Sequence, residues 1–348
     1  MCEGLDQQDL AVVLSGYDLG ALRHLVRVER GYVNEKWLLE TARGLYLLKR
    51  RHPNLRKRLL VQAQHSLVQY LRGADFPAPA LVATRDGNTA LVHGGELYEI
   101  QQYVPGEPYC VGCPGHLPAA GNILGLYHNA VVGFDHSMLH WPRERYGTLA
   151  FARILERLQE SWGPWPGSEL APLLAQLQRH DQDLQSLYAD FGQLPELVIH
   201  GDYHGANLVF RGNQIAGVVD YDLAHWCLRV MEVAEACIAF CTDPGLRLKH
   251  IVYQGILDVE LVMGFLTAYQ RETPLLEAEI QAFPEMIRTI WLCAALDPPL
   301  GPHLSLEAAT RALPEILALA DWAAENREDL KEVCLVARGN SGEWVGMR

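Results

Sequence analysis

Apolar and polar positions change their rhythm once along this chain. Up to about residue 105 the apolar residues come in short β-compatible runs: "LVRVE" (25–29), "EKWLLET" (35–41), "LYLLKR" (45–50), "TALVH" (89–93) and "LYEIQQYV" (97–104). Turn chemistry separates them, in Gly31 with Asn34, in Arg43-Gly44 and in Gly94-Gly95. One helical pattern, over 55–72, falls between the third and fourth runs and stops at Gly73 before "FPAP". Its stripe of Leu60, Gln64, Leu67 and Leu71 turns Gln64 inward and leaves Gln62 and Gln69 outside. The pattern predicts a five-stranded antiparallel sheet with one helix inserted after strand three.

From Gly106 onward the apolar spacing becomes helical, as in "LPAAGNILGLYHNAVV", "TLAFARILERLQESW" and "ELAPLLAQLQRHDQDLQSLYADF". The exception is 197–220, where a strand, a polar loop and the hairpin "NLVFRGNQIAGVVD" interrupt the helices, with Arg211-Gly212-Asn213 as the turn. The fold class expected is α+β in two lobes: a small antiparallel β lobe with one inserted helix over 1–105, and a larger, mainly helical lobe over 106–348. "WGPWPGSE" (162–169) reads as a linker, and the last residues, about 20 of them, as a polar and partly ordered tail.

Composition narrows the class. The 348 residues are 49% hydrophobic, enough to bury a core. No stretch approaches the roughly 20 uninterrupted apolar residues of a membrane helix, and "MCEGLDQQDL" is too acidic and polar for a secretory signal. Eight cysteines without framework spacing read as reduced thiols of a cytoplasmic protein, a monomer or homodimer. Cys110 and Cys113 have CxxC spacing with His116 nearby, but a zinc site needs a second ligand pair, and none has suitable spacing. The net charge of −13 argues against nucleic acid or an anionic membrane as partner. That charge is uneven: residues 1–105 hold 13 Lys and Arg against 11 Asp and Glu, and the remainder 16 against 31.

The densest chemistry is "VIHGDYHGANLVF" (198–210), which holds His200, Asp202, His204 and Asn207 between two apolar runs. A surface Asx turn would explain it blandly. Yet an Asp followed five residues later by an Asn is also the spacing of a phosphoryl-transfer loop, in which the Asp takes the attacking hydroxyl's proton and the Asn oxygen holds Mg²⁺ on nucleotide phosphates. That chemistry needs a further carboxylate, and "IAGVVDYD" supplies Asp220 at the end of an apolar strand. It also needs a cation for the phosphates, and Lys49 lies on the third strand. Arg50 is the alternative, but it alternates to the opposite face from Leu45, Leu47 and Lys49.

"HGDYHGANLVF…GVVDYD" resembles the HGDxHxxN loop and metal-binding strand of the aminoglycoside phosphotransferase and choline kinase superfamily, which shares the protein-kinase fold. "LGLYHN" and "YLLKR" resemble, more weakly, that family's LG..L..LH helix and third-strand lysine. The resemblance spans about residues 20–300 and implies ATP and Mg²⁺ as cofactors, with a small-molecule hydroxyl as acceptor. It implies Asp202 as catalytic base, Asn207 and Asp220 as metal ligands, and Lys49 on the phosphates. Gly31 and Asn34 would lie in the loop over the phosphates, and "IQQYV" (100–104), with Gln102 and Val104, would be the hinge presenting backbone groups to adenine. His200 and His204 would brace the loop, since hard Mg²⁺ prefers oxygen. Asp222 is either a substrate or second-metal contact or a solvated carboxylate. One departure stands out: where the family has a Glu on the inserted helix to pair with the lysine, this chain has Gln64, which can only offer Lys49 a neutral hydrogen bond.

Three functions compete. The first is an ATP-dependent kinase of a small, cationic acceptor such as an aminoglycoside, amino sugar or choline, favoured by the acidic second part. A relative of type-II homoserine kinases is the variant in which Arg143 or Arg145 of "HWPRERYG" clamps a carboxylate. The second is a nucleotide-binding pseudokinase module, suggested by Gln64 and the missing Gly-rich loop. The third, a protein Ser/Thr kinase, lacks an activation-segment pattern after Asp220.

Overall fold

The computed structural model describes residues 5–28, 34–139, 150–162, 167–190, 193–242, 256–296 and 306–340. By internal contacts the chain divides into two units. One holds Met1–Pro108, Ser137–Leu139 and Asn207–Leu223, and the other Tyr109–His136, His140–Ala206 and Ala224–Arg348. The hairpin that follows the polar loop therefore groups with the N-terminal sheet, not with the helices that flank it in sequence.

In the first unit, β1 (Leu22–Val28), β2 (Glu35–Thr41), β3 (Gly44–Arg50), β4 (Leu91–His93) and β5 (Glu96–Gln102) form one antiparallel sheet in the order β1-β2-β3-β5-β4. The β4–β5 turn, Gly94-Gly95, takes φ of 60° and 80°, which a two-residue hairpin turn demands and glycine meets without strain. Strand alternation gives the sheet two unlike faces. Trp37, Leu48 and Ile100 stand opposite one another across β2, β3 and β5, fully buried in a core with Val13, Tyr17, Leu39 and Tyr98. One position along, Lys36, Lys49 and Glu99 stand opposite one another on the other face. The inserted helix α2 (Arg58–Gly73) buries Gln64, Leu67 and Leu71, as its stripe predicts, while Leu60 is only partly buried and Val61 is buried beside it.

A helix at the N-terminus, α1 (Gln7–Ser15), is not evident in the sequence pattern. Asp6 caps it by accepting from the Gln8 backbone N–H, and Val13 anchors it in the core. Nine residues with one fully buried side chain carry too little periodicity to stand out from the polar residues around them. β6 (Glu107–Pro108), β8 (Leu208–Arg211) and β9 (Gln214–Val218) make a second small sheet in this unit, with β8 and β9 joined through Gly212-Asn213.

The second unit pairs β7 (Glu196–Ile199) with β10 (His225–Leu228) and is otherwise helical among the described residues. β10 leads straight into α6 (Arg229–Phe240), and in the sequence its four residues read equally well as that helix's first turn. α3 (His116–Ala130) lies so close to α7 (Val259–Glu272) that a Cβ on Gly121 would stand 2.3 Å from the Phe265 carbonyl oxygen, and one on Gly125 2.8 Å from that of Tyr269. α4 (Ala150–Trp162), α5 (Gly167–Asp190), α8 (Glu277–Leu296) and α9 (Leu306–Glu325) complete the predicted helical region. Part of the supposed linker is helix, since α5 begins at Gly167; residues 163–166 lie outside the described residues. The tail expectation is also corrected over most of its length. α10 (Arg327–Asn340) buries Leu330, Val333, Cys334 and Ala337, and the Cys334 carbonyl accepts from Gln270 at 2.9 Å. Residues 341–348 are outside the described residues. No described helix is long and apolar enough to cross a membrane.

The α3–α7 approach yields a direct expectation. Gly121→Ala forces a methyl group into backbone and should lower unfolding free energy by about 1–3 kcal/mol in a urea titration, whereas Gly73→Ala, with nothing near its Cβ, should not destabilise the chain.

Candidate active site

In the first unit, the sheet face carrying Lys36, Lys49 and Glu99 meets the turn after β9. The Val219 N–H donates to the Asn207 carbonyl at 2.9 Å, so Asn207 and Asp220 stand side by side at the open end of the β8–β9 hairpin. Asp220 takes a left-handed φ of 71°, a conformation Asp tolerates better than most residues and one that turns its carboxylate out of the strand direction. Lys36 Nζ donates to Asp220 Oδ2 at 2.6 Å and Lys49 Nζ to Oδ1 at 3.2 Å. Lys49 also donates to Asp222 at 2.9 and 3.0 Å and lies 3.4 Å from Glu99.

Three cations and three carboxylates thus share this face: Lys36, Lys49 and Arg51 against Glu99, Asp220 and Asp222. Burial opposes ionisation of both Asp220 and Glu99, but the cations outweigh it. Lys49 and Lys36 hold the Asp220 carboxyl well below the usual carboxylate range, and Arg51 and Lys49 do the same for Glu99. Burial pushes Asp222 the other way, up, against the pull of Arg51 and Lys49. Burial also disfavours the charged form of Lys49, yet Asp220, Asp222 and Glu99 raise its pKa, so the ammonium is permanent.

Two sequence expectations change here. Gln64 does not bond Lys49: its Oε1 accepts from Arg51 at 2.9 Å and its Nε2 donates to the Asp222 carbonyl at 2.6 Å. The lysine's carboxylate comes from the neighbouring strand, as Glu99, which is why the helix can do without a Glu. Asp222 is not a solvated carboxylate either; it is 4% exposed and accepts from Lys49, Arg51 and Asn34. Arg50 faces away, paired with Glu35 and lying over the Trp37 ring. Asn34 spends both ends of its side chain inside the protein, donating to Asp222 at 2.5 Å and accepting from the His52 N–H at 2.8 Å. Gly31 lies outside the described residues. In the expected hinge, Gln102 and Tyr103 already donate their N–H groups to the Ala80 and Leu45 carbonyls, so Gln102 has no backbone donor to offer a base. Val104 packs its side chain where a Cβ on Gly217 would fall.

The second unit holds the other part of the motif. β7 runs into His200, which is fully buried with its ring against Tyr127 and Tyr203. The Gly201 N–H donates to Glu232 Oε1 at 2.8 Å; Glu232 Oε2 meets His128 Nε2 at 2.9 Å, and His128 Nδ1 meets the Tyr269 hydroxyl at 2.8 Å. Burial opposes the Glu232 charge, but the His128 hydrogen bond keeps its pKa below normal. Tyr203 donates to the Ala120 carbonyl at 2.7 Å, and the Tyr109 N–H to that of Gly205 at 3.3 Å. The loop is pinned on both sides of Asp202, whose side chain remains 32% exposed. His204 Nδ1 accepts from the Ala206 N–H, which leaves the ring proton on Nε2, 3.4 Å from Asp202 Oδ1. His204 thus sets its Nε2 toward the Asp202 carboxyl group while its Nδ1 braces the turn.

Cys110 and Cys113 form a disulfide, correcting the expectation of uniformly reduced thiols; His116 Nδ1 accepts from the Cys110 N–H at 3.1 Å. Arg143 and Arg145 lie outside the described residues. The residues missed by sequence reasoning are Lys36, Arg51, Glu99 and Glu232. Strand period alone would have flagged Arg51, two positions after Lys49, and an acid inside the apolar run "LYEIQQ" was itself a signal. As a divalent-metal donor set, the Asn207 amide and the Asp220 carboxylate fit: both offer hard oxygen, in the small number that Mg²⁺ accepts when phosphates and water fill the remaining positions.

Comparison with known proteins follows the same lines. Residues 24–275 match the model of a family described as phosphotransferase enzyme family. The chain is 28% identical over 284 residues to a homoserine kinase of Phenylobacterium zucineum (strain HLK1), covering 80% of each. Among solved structures it is similar to a microcompartment-associated aminopropanol kinase, with a TM-score of 0.66 at 20% identity, covering 94% of this chain and 99% of that one. It is also similar to an amicoumacin kinase in complex with AMP-PNP and Ca²⁺, with a TM-score of 0.62 at 15% identity and 94% of each chain covered. The fold is the α+β, protein-kinase-like one.

The charge cluster has a pH signature. Asp220 and Glu99 have folded pKa values below their unfolded ones, so their pairing stabilises the chain above about pH 4, the ordinary carboxylate range, and is lost as pH falls toward the folded values. Glu99→Gln should therefore cost stability at pH 7, up to about 3–5 kcal/mol, because Lys49 and Arg51 each lose one of their buried carboxylates, and the difference from wild type should shrink as urea titrations move below pH 4.

Proposed function

We propose a reaction on one premise: the chain belongs to the phosphotransferase enzyme family and is an ATP-dependent small-molecule kinase. In this reading the N-terminal unit, with Lys49, holds the nucleotide, and the acidic helical region receives an acceptor that carries an ammonium group as well as the hydroxyl to be phosphorylated. The observation that carries the reading is the pinned loop, in which Asp202 is the one half-exposed carboxylate between buried His200 and Asn207. Asp202 takes the proton of the acceptor hydroxyl as that oxygen forms its bond to the γ-phosphorus and the bond to the bridging oxygen breaks, releasing ADP. Lys49 neutralises nucleotide phosphates. Asn207 and Asp220 would hold Mg²⁺, which when bound offsets phosphate charge.

The pseudokinase reading loses its main support, because Glu99 supplies the carboxylate that Gln64 lacks. The acceptor stays a choice between two chemistries. The 31 acidic against 16 basic residues after 105 favour a purely cationic amino alcohol or amino sugar, since a cleft of one sign concentrates the opposite charge. The similarity to proteins named homoserine kinase favours a zwitterionic amino acid.

Asp202→Asn should leave AMP-PNP affinity within about twofold of wild type while turnover on the accepted substrate falls by about 10²–10⁴, the usual worth of a positioned base. A mutant retaining more than half the wild-type rate would remove Asp202 from the mechanism. ADP release should be measured with L-homoserine, 1-amino-2-propanol, choline, an aminoglycoside and glycerol. The expected result is phosphorylation of amino-bearing acceptors with KM rising as salt is added; turnover confined to glycerol, indifferent to salt, would overturn the acceptor assignment. Magnesium should be required for tight calorimetric binding of AMP-PNP, and equal affinity in EDTA would count against Asn207 and Asp220 as metal ligands.

A further inference from the structure

We propose that Lys36 is a second phosphate-binding cation of the nucleotide site, held by Asp220 in the nucleotide-free protein. The inference rests on the kinase reading above and adds to it a residue with no counterpart among the expected site residues.

Lys36 stands directly opposite Lys49 across β2 and β3. Like charges facing each other in a sheet are destabilising, and nothing in the packing of β2 requires a cation there. The arrangement is tolerated because Asp220 sits between the two ammoniums, one on each carboxylate oxygen, at 2.6 and 3.2 Å. A divalent ion on Asp220 competes for the same carboxylate charge and weakens its hold on both ammoniums. Lys49 is 2% exposed and anchored separately by Asp222 and Glu99. Among the described residues Lys36 is paired with Asp220 alone, and its side chain is 13% exposed. Lys36 is the ammonium free to leave.

Charge balance gives it a destination. The three cations and three carboxylates of this face neutralise one another without any ligand. A nucleoside triphosphate with one divalent ion still carries more negative charge than the single ammonium of Lys49 meets, and Arg51, buried between Glu99 and Asp222, is not placed to supply the rest. Lys36, released from Asp220 at the accessible edge of the cluster, supplies a charge-assisted hydrogen bond to a phosphate oxygen.

Calorimetry on the full chain with adenosine, ADP and AMP-PNP, each with Mg²⁺, separates this from a bracing role. Lys36→Gln should bind adenosine as wild type does and AMP-PNP about ten- to hundredfold more weakly, while Lys36→Arg should recover most of that loss. If Lys36→Gln binds AMP-PNP as tightly as wild type, or more tightly, the lysine only neutralises Asp220 and the proposal is wrong. If the wild-type chain itself binds no AMP-PNP, the kinase reading falls with it. Should Lys36→Gln fail to fold, acylation of Lys36 in the wild-type protein, followed by mass spectrometry, answers the same question. AMP-PNP with Mg²⁺ should protect Lys36 and adenosine should not; equal labelling in the two would refute the proposal.

Discussion

The pairing of Lys49 with three carboxylates is the interaction on which the first unit depends. An ammonium that is 2% exposed is tolerable only with its charge met, and removing one partner from such a cluster is far more costly than never having built it. The need to meet that charge ties together pieces far apart in sequence: β2 and β5 flank the lysine, α2 is fastened through Gln64 to Arg51 and to the Asp222 carbonyl, and the turn after β9 brings Asp220 and Asp222. Asn34 closes the arrangement from the start of β2. A sheet with a wholly apolar second face would be easier to fold, but it would lack the cations that the proposed function places on nucleotide phosphates.

The second unit solves a related problem with neutral backbone and one buried acid. A loop rich in polar groups between two apolar strands leaves N–H and carbonyl groups that must find partners. Glu232 takes the Gly201 N–H, Ala120 takes the Tyr203 hydroxyl, and Gly205 accepts from Tyr109. With its neighbours committed, the loop has one carboxylate still half exposed, that of Asp202. In both units the proposed reactive group is defined less by its own placement than by how completely the groups beside it are occupied.

A carboxylate on strand β5, with none on the inserted helix, fixes the lysine through the sheet. A helix-borne Glu makes the pair depend on where the helix sits; Glu99 is hydrogen-bonded into the same sheet as Lys49, directly opposite it, so the pair is set by strand register. Arg51 and His65 hold the other side of Glu99, at 2.7 and 2.9 Å. The helix contributes through Gln64, an amide that both accepts and donates, which a Glu at that position would not do.

The sequence by itself determined the five strands, the inserted helix, the helical remainder and the residues of the loop and strand that carry Asp202, Asn207 and Asp220. Those features depend on local period and on spacing within one turn, which the chain writes out directly. It did not determine α1 or β10, whose few residues carry too little periodicity, nor the order of α10, whose buried face is visible only once α7 and α8 exist to cover it. Above all, the partners of Lys49 were decided by tertiary structure. Glu99, Asp220 and Asp222 lie 50, 171 and 173 residues from it, and only strand register and the hairpin's return bring them to one face. Ion pairs at that separation leave no trace in a single sequence beyond an unexplained charge in an apolar run.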